Sequence, residues 1–192
     1  NMANPFTDIQ TSTGGNDRSF RWYQDAVRKV AGNIRSFGDA SRTDIGEFTS
    51  QLEPGNMYMY MYDPKNKDSL PYWDQFPLCL PFDDMAGGFV GLNLHYIPPM
   101  LRAKLLGELL NYTDKELTDK SKIEVKWSML KSFSKFPGVQ PTVKKYLYSQ
   151  VNSRFLKVDP EHWKASIFLP TQNFQGASVQ KVYKDSRDII NG

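Results

Sequence analysis

The stretch from Met57 to Asp84, MYMYMYDPKNKDSLPYWDQFPLCLPFDD, decides the fold that the sequence predicts. Its first six residues alternate methionine with tyrosine, and a period of two is typical of a β-strand. Such a strand would turn Met57, Met59 and Met61 toward a core. The tyrosines, Tyr58, Tyr60 and Tyr62, would form a half-exposed face on which nucleic-acid bases could stack.

The second half of the stretch is rich in strand-forming residues but contains Pro71, Pro77 and Pro81. Because proline has no amide hydrogen for the ladder, we expect an edge strand or a bulged strand with bends. After the turn at DDMAGG, FVGLNLHYI predicts a third strand. Three closely spaced strands followed by helices predict an α+β fold: a small antiparallel sheet, or an SH3-like partly open barrel, packed with several helices.

Several other segments repeat apolar residues every three or four positions, which predicts helices. In residues 141–156, Val143, Leu147, Val151 and Phe155 lie four apart, which indicates a helix with its lysines off the buried stripe. The segment SKIEVKWSMLKSFSKF fits either a strand followed by a helix or one helix. The predicted helices lie near 20–37, 100–114, 141–156, 159–168 (with Asp159 as its cap) and 178–190.

The length of 192 residues favours one domain, or one domain with a helical extension. The polar, aperiodic residues 1–17 predict a flexible N-terminal arm that orders only against a partner. Residues 18–55 predict an N-terminal helix and a linker, and residues 56–192 an α+β core domain.

The composition is that of a globular protein, with 40% hydrophobic and 23% charged residues. We find neither a membrane-crossing apolar run nor a signal-peptide pattern. The single cysteine, Cys79, excludes an internal disulfide and a cysteine-based metal cluster. We expect Cys79 to be buried, and the protein to be made in a reducing cytoplasm.

Few residues suit catalysis. His95 and His162 are the two histidines, and a nucleophilic pair of Cys79 with His95 lacks any local signature. An acidic cluster of Asp83 and Asp84, with Asp74 and Asp63 nearby, suggests a magnesium-dependent nuclease. The further glutamate and lysine of such sites are not recognisable in the sequence. We therefore predict that the protein is not an enzyme and holds no metal or cofactor.

Positive charge is concentrated late in the chain. Between Lys120 and Lys157 there are nine Lys or Arg residues against Glu124 alone. A solvated face is one explanation, but a one-signed excess interleaved with Trp127, Tyr146 and Tyr148 favours binding to nucleic-acid phosphates. The residues predicted to contact DNA are Lys126, Lys131, Lys135, Lys144, Lys145, Arg154 and Lys157.

Three segments resemble one family of phage proteins. They are YMYDPKNKDSLPYWDQFPLCLPF, GGFVGLNLHYIPPMLRAKLL and SRFLKVDPEHWKASIFLPTQNFQGASVQKVYKDSR. They are similar to the DNA end protector family of T4-like tailed phages, in its marine cyanophage type more than its coliphage type. The resemblance covers approximately residues 56–187, and LPYWDQFPL and GLNLHYIPP are its most characteristic parts.

The resemblance implies a minor virion protein that binds the ends of packaged linear double-stranded DNA, protects them from host exonuclease and accompanies head completion. It implies production in the host cytoplasm and contact with head, portal or neck proteins; a homo-oligomer is possible. It carries over no catalytic residue. The alternative is a structural assembly protein of the neck, head–tail connector or baseplate, with the arm and an exposed strand edge docking onto neighbours.

Overall fold

The computed structural model describes residues 21–23, 25–29, 42–53, 55–113, 128, 130–132 and 134–192. The predicted arm at residues 1–17 lies outside the described residues, as does most of the segment for which strand and helix were both open. The division of the chain at residues 17 and 55 therefore stays a prediction.

The described residues contain eight β-strands. These are β1 (Gly46–Thr49), β2 (Tyr58–Met59), β3 (Trp73–Asp74), β4 (Leu78–Met85), β5 (Gly88–Asn93), β6 (Val143–Leu147), β7 (Phe155–Val158) and β8 (Phe174–Gln175). Six of them form an antiparallel sheet in the order β1-β7-β2-β4-β5-β6, while β3 pairs with β8. The α+β prediction is confirmed with an open sheet, not with the barrel alternative.

Helices contribute residues to the hydrophobic core on one face of this sheet. The described helices with defined bounds are α1 (Pro99–Thr113), α2 (Trp163–Phe168) and α3 (Val179–Asn191). Residues 21–23 and 25–29 are also helical, and Tyr23 and Val27 are buried as the apolar spacing predicts. Ser178 caps α3, because its hydroxyl accepts a hydrogen bond from the Lys181 amide. Four of the five predicted helices are thus found, at least in part.

The hairpin of β4 and β5 organises the sheet. Its register shifts between Pro81 and Asp83, which confirms the predicted bulged strand. Pro81 is tolerated because β2 pairs only with Leu78 and Cys79, so that beyond them β4 has β5 as its sheet neighbour. Gly87 closes the hairpin at φ 73°, a conformation that favours glycine.

The helix predicted over residues 141–156 is wrong. This segment forms β6, a 3-10 turn at Tyr148–Gln150 and β7, and β6 pairs along its whole length with β5. The reason lies in the spacing: residues four apart share a face in a helix and also in a strand, whose period of two divides four. Val143 and Leu147 therefore satisfied both patterns.

The prediction for the Met/Tyr strand is half right. Met57 and Met59 lie in the main core, but Tyr58, Tyr60 and Tyr62 are buried as well, so the expected half-exposed face does not exist. The tyrosines form a second cluster on the other side of the sheet, which we call the tyrosine cluster: Tyr58, Tyr60, Tyr62, Cys79, Phe89, Tyr146 and Phe155. Base stacking on those three tyrosines is excluded by their burial.

Three smaller expectations also change. The segment predicted as a linker contains β1, which pairs with β7. Asp159 makes no side-chain cap to the following helical turn; instead its carboxylate accepts from Arg42. His95, expected on a strand, lies buried in the 3-10 turn Leu94–Tyr96 that follows β5.

Candidate nucleic-acid interface

The two lysines of β6 point in opposite directions. Strand alternation places Lys144 on the same face as Tyr146, and Lys145 on the other. The Lys144 ammonium lies 3.9 Å from the centroid of the Tyr96 ring. Burial lowers the pKa of Lys144. Lys145 is exposed. The two lysines therefore cannot contact neighbouring phosphates of one DNA strand together, as the predicted helix would have allowed.

Two of the other predicted contacts are paired with carboxylates. Lys131 pairs with Asp83 at 3.4 Å, and Lys157 pairs with Glu47 at 3.7 Å. Lys135 is exposed near the start of the chain that leads to β6, and Lys126 lies outside the described residues. Of the described members of the predicted set, Lys144 and Lys145 thus lie on opposite faces of the sheet, and Lys131 and Lys157 have carboxylates beside them. Exposed pairs of this kind are weak, so phosphates can still compete for the lysines.

Arg154 is placed differently. Its guanidinium carbon lies 4.4 Å from the centroid of the Phe48 ring, and its buried Nη2 has no hydrogen-bond partner in the described part of the chain. The side chain borders a cleft of about 590 Å³, which we call the Tyr148 cleft; its lining includes Ser50, Gln51, Tyr148, Ser153, Arg154 and Phe155. The charge of Arg154 marks it in the sequence, whereas no sequence pattern indicates the cleft.

A network of hydrogen bonds surrounds the buried side chain of Asp74. The carboxylate accepts from the amides of Phe76 and Asn173, and from the Asn93 side chain at 3.0 Å. His95 Nδ1 lies 2.6 Å from Asp74 Oδ2, and His95 Nε2 lies 2.7 Å from the Thr171 hydroxyl. The network therefore joins β3, β5 and the chain before β8.

Burial and hydrogen bonding set the charge state of this network. Burial alone would raise the pKa of Asp74, but the adjacent His95 and the hydrogen bonds from His95 and Asn93 outweigh it and lower that pKa. Burial also lowers the pKa of His95, against the opposing effect of Asp74. We describe the pair as a carboxylate with a neutral imidazole, in which Nδ1–H donates to Asp74 and the Thr171 hydroxyl donates to Nε2.

Arg102 provides a second buried polar centre. It is fully buried, yet its guanidinium donates to the carbonyls of Ile97 and Ile167 and to the Tyr183 hydroxyl, not to a carboxylate. Burial lowers its pKa. The side chain links α1 to α2 and α3 through these hydrogen bonds, and no sequence motif predicts this role.

Neither catalytic alternative from the sequence, the Cys79–His95 pair or the carboxylate site, has the geometry that it requires. Burial raises the pKa of Cys79 to about 12, and both ring nitrogens of His95 are already engaged by Asp74 and Thr171. The predicted nucleophilic pair is therefore not assembled. Asp74 is buried in its hydrogen-bond network, whereas Asp83 lies on β4 beside Lys131. These two carboxylates therefore do not form the acidic cluster that a magnesium-dependent nuclease site requires.

The described residues define an α+β protein with an open antiparallel sheet, buried hydrogen-bond networks around Asp74 and Arg102, and exposed lysines. A family model described as the Phage T4 terminal DNA protecting protein matches residues 8–187, and the chain belongs to that family. Searches of curated proteins and of solved structures found no significant match.

The family description concerns the termini of DNA, which agrees with the expectation of a nucleic-acid partner. The description names protection and no reaction. Within the described residues, each helix is too short or too polar to cross a lipid bilayer.

Proposed function

We propose that this protein binds the ends of the packaged linear double-stranded DNA in the phage particle and shields them from host exonuclease. The observation that carries the proposal is the family match, which extends over residues 8–187. The excess of cations between Lys120 and Lys157 supports it, because neutralised phosphates supply much of the affinity of proteins for DNA.

The predicted contacts remain part of the proposal. Lys135 and Lys145 are exposed and accessible to phosphates, and Lys131 and Lys157 can exchange their exposed carboxylate partners for phosphate oxygens. Lys144 and Arg154 are each held against an aromatic ring, so they are ordered before DNA arrives. Lys126 completes the set. These contacts read the backbone, so binding should depend on salt and little on sequence.

A protection assay tests the proposal directly. Linear duplex DNA is mixed with the purified protein and then with an ATP-dependent exonuclease that enters from duplex ends. We expect slower degradation of the linear DNA, with protection that weakens as salt rises. The control is covalently closed circular DNA treated with an endonuclease that cuts within the duplex and needs no end. Binding of the protein to ends should leave the cleavage of this DNA unchanged. Unaltered degradation of linear DNA would remove the proposal.

We propose a second role in completing the filled head, through contact with a head or neck protein. An apolar groove of about 400 Å³ supports it, because Leu101, Leu105, Phe136 and Ile190 line the groove and Phe136 is 56% exposed. Exposed apolar surface of this kind is typical of protein contacts.

Replacing Phe136 tests this second role. Phe136→Ser should reduce co-sedimentation of the protein with filled heads and leave its affinity for free linear DNA unchanged. The matched substitution Leu70→Ser removes an exposed apolar side chain outside both the groove and the predicted DNA contacts. Equal loss of head association in both variants would contradict a contact at the groove.

A further inference from the structure

The Tyr148 cleft has the size and the walls of a small-ligand site. Its volume of about 590 Å³ falls among those of pockets that hold small ligands, which measure roughly 300–1,000 Å³. The described residues at its wall combine an aromatic ring, an arginine and the polar side chains of Ser50, Gln51 and Ser153, with no carboxylate among them. An anion with a flat ring, such as a nucleotide, fits this combination.

Tyr148 supplies an accessible aromatic surface. Tyr148 is 46% exposed, whereas the aromatic rings of the neighbouring tyrosine cluster are buried. Phe89 and Phe155 support its ring, at centroid distances of 5.5 and 6.5 Å. Bases inside a duplex are covered on both faces by their neighbours, so only a terminal base pair has a face free for an external ring. Stacking on Tyr148 would therefore select ends.

Arg154 supplies the complementary charge. Its guanidinium is held on the Phe48 ring, and among the described residues Nη2 has no acceptor. A buried donor without a partner is costly, and a phosphate oxygen is an acceptor that arginine binds strongly. Arg154 is one of the residues that line the cleft, so a phosphate held there would be its neighbour.

We propose that the Tyr148 cleft holds the terminal nucleotide of linear duplex DNA, with Tyr148 stacked on the terminal base and Arg154 bound to its 5′-phosphate. The inference rests on the proposed function and deepens it. The lysines would bind phosphates anywhere along the duplex, whereas the cleft would bind only the nucleotide at its end. Recognition of the end is then separable from general affinity for DNA.

The experiment uses two DNA probes with a fluorescein in a loop. The first is a stem–loop with one open blunt end, carrying a 5′-phosphate or a 5′-hydroxyl, and the second is a dumbbell with no end. We expect the wild-type protein to prefer the open stem–loop to the dumbbell, and the phosphate to the hydroxyl. Tyr148→Ala should lower the affinity for the open end about tenfold and leave that for the dumbbell unchanged. Tyr148→Phe should retain the end preference.

A surface substitution tests the phosphate contact without disturbing packing on Phe48. Gln51 is exposed at the cleft, so Gln51→Glu should abolish the preference for the 5′-phosphate by placing a like charge beside it. Gln180→Glu, the same charge change on the exposed surface of α3, is the matched control and should keep that preference. Arg154→Ala should match Gln51→Glu, and thermal unfolding of each variant checks that it is folded.

The outcomes separate the two proposals. A wild-type protein that binds the dumbbell as tightly as the open stem–loop would overturn end binding, and the cleft with it. A wild-type protein that prefers the open end, with Tyr148→Ala and Gln51→Glu retaining the full preferences for end and phosphate, would overturn the cleft alone.

Discussion

At the scale of single residues, burial decides chemistry in this protein. Asp74 and His95 are 2% and 0% exposed, and each is satisfied by neighbours from other parts of the chain. His95 is held as a neutral ring between Asp74 and Thr171, with the charged Arg102 donating to its carbonyl at 3.3 Å. A histidine held neutral makes the stability of the fold depend on pH.

We predict that the protein loses stability as the pH falls below the ordinary His95 pKa of 6.5. Burial lowers the pKa of His95 in the folded state, so in this range the unfolded chain binds a proton that the folded protein does not. The free energy of unfolding should then fall by up to about 1.4 kcal/mol per pH unit until the folded pKa is reached.

Urea unfolding at a series of pH values measures this dependence. His95→Gln should flatten it, and His162→Gln, which removes the other histidine, should preserve it. A dependence that is the same in the wild-type protein and in His95→Gln would contradict the neutral assignment of His95.

At the scale of elements, the β4–β5 hairpin depends on a close approach between its strands. A Cβ at Gly91 would lie 2.3 Å from the Cys79 sulfur and 3.1 Å from the Leu80 carbonyl oxygen, and that sulfur is fully buried. The requirement comes from the packing between strands, since Gly91 does not have a positive φ. Gly107 in α1 is the opposite case, because no atom of the described residues lies within 4 Å of an added Cβ.

We predict opposite effects of alanine at these two glycines. Gly91→Ala should destabilise the protein by about 1–3 kcal/mol, because the added methyl group overpacks the hairpin. Gly107→Ala should stabilise it by about 0.5–1 kcal/mol, because glycine in a helix loses more backbone entropy on folding. Urea denaturation midpoints of the two variants measure both effects. A neutral Gly91→Ala would show that the Cys79 side chain can move aside.

At the scale of the whole molecule, the two lysines of β6 do not share one face of the sheet. The net charge is only +3, and strand alternation sends Lys144 and Lys145 to opposite sides of the sheet. Ion pairs engage Lys131 and Lys157, whereas Lys145 is exposed and has no ion pair with a described residue. Lys145, like the exposed Lys135, is therefore open to a direct phosphate contact.

We predict that Lys145→Ala lowers the steepness with which DNA affinity falls with salt. Loss of one neutralised phosphate should reduce the slope of log affinity against log salt by about 0.9. Fluorescence anisotropy with linear duplex over a range of salt concentrations measures the slope. Lys184→Ala on α3, which removes a lysine paired with Asp188, is the control and should leave the slope unchanged. Equal slopes in both variants and the wild-type protein would place the DNA elsewhere.

Sequence patterns predicted the elements whose period is unambiguous. The α1 and α3 helices, the bulge at Pro81 and the burial of Cys79 follow from local rules of periodicity, proline geometry and hydrophobicity. The β6–β7 region was misread because its spacing of four suits both helix and strand. The burial of Tyr58, Tyr60 and Tyr62 was not predicted, because the sequence of one strand does not show what covers each face of the sheet.

The sequence by itself determined the class of the fold, the cationic character of the later half and the resemblance to phage DNA end protectors, since each depends on local order or composition. Only the tertiary structure decided which residues meet. It brought Asp74, His95 and Thr171 together, buried Arg102 among carbonyls, and opened the Tyr148 cleft beside Arg154. Those contacts join residues distant along the chain, and the packing of the sheet and helices sets their distances.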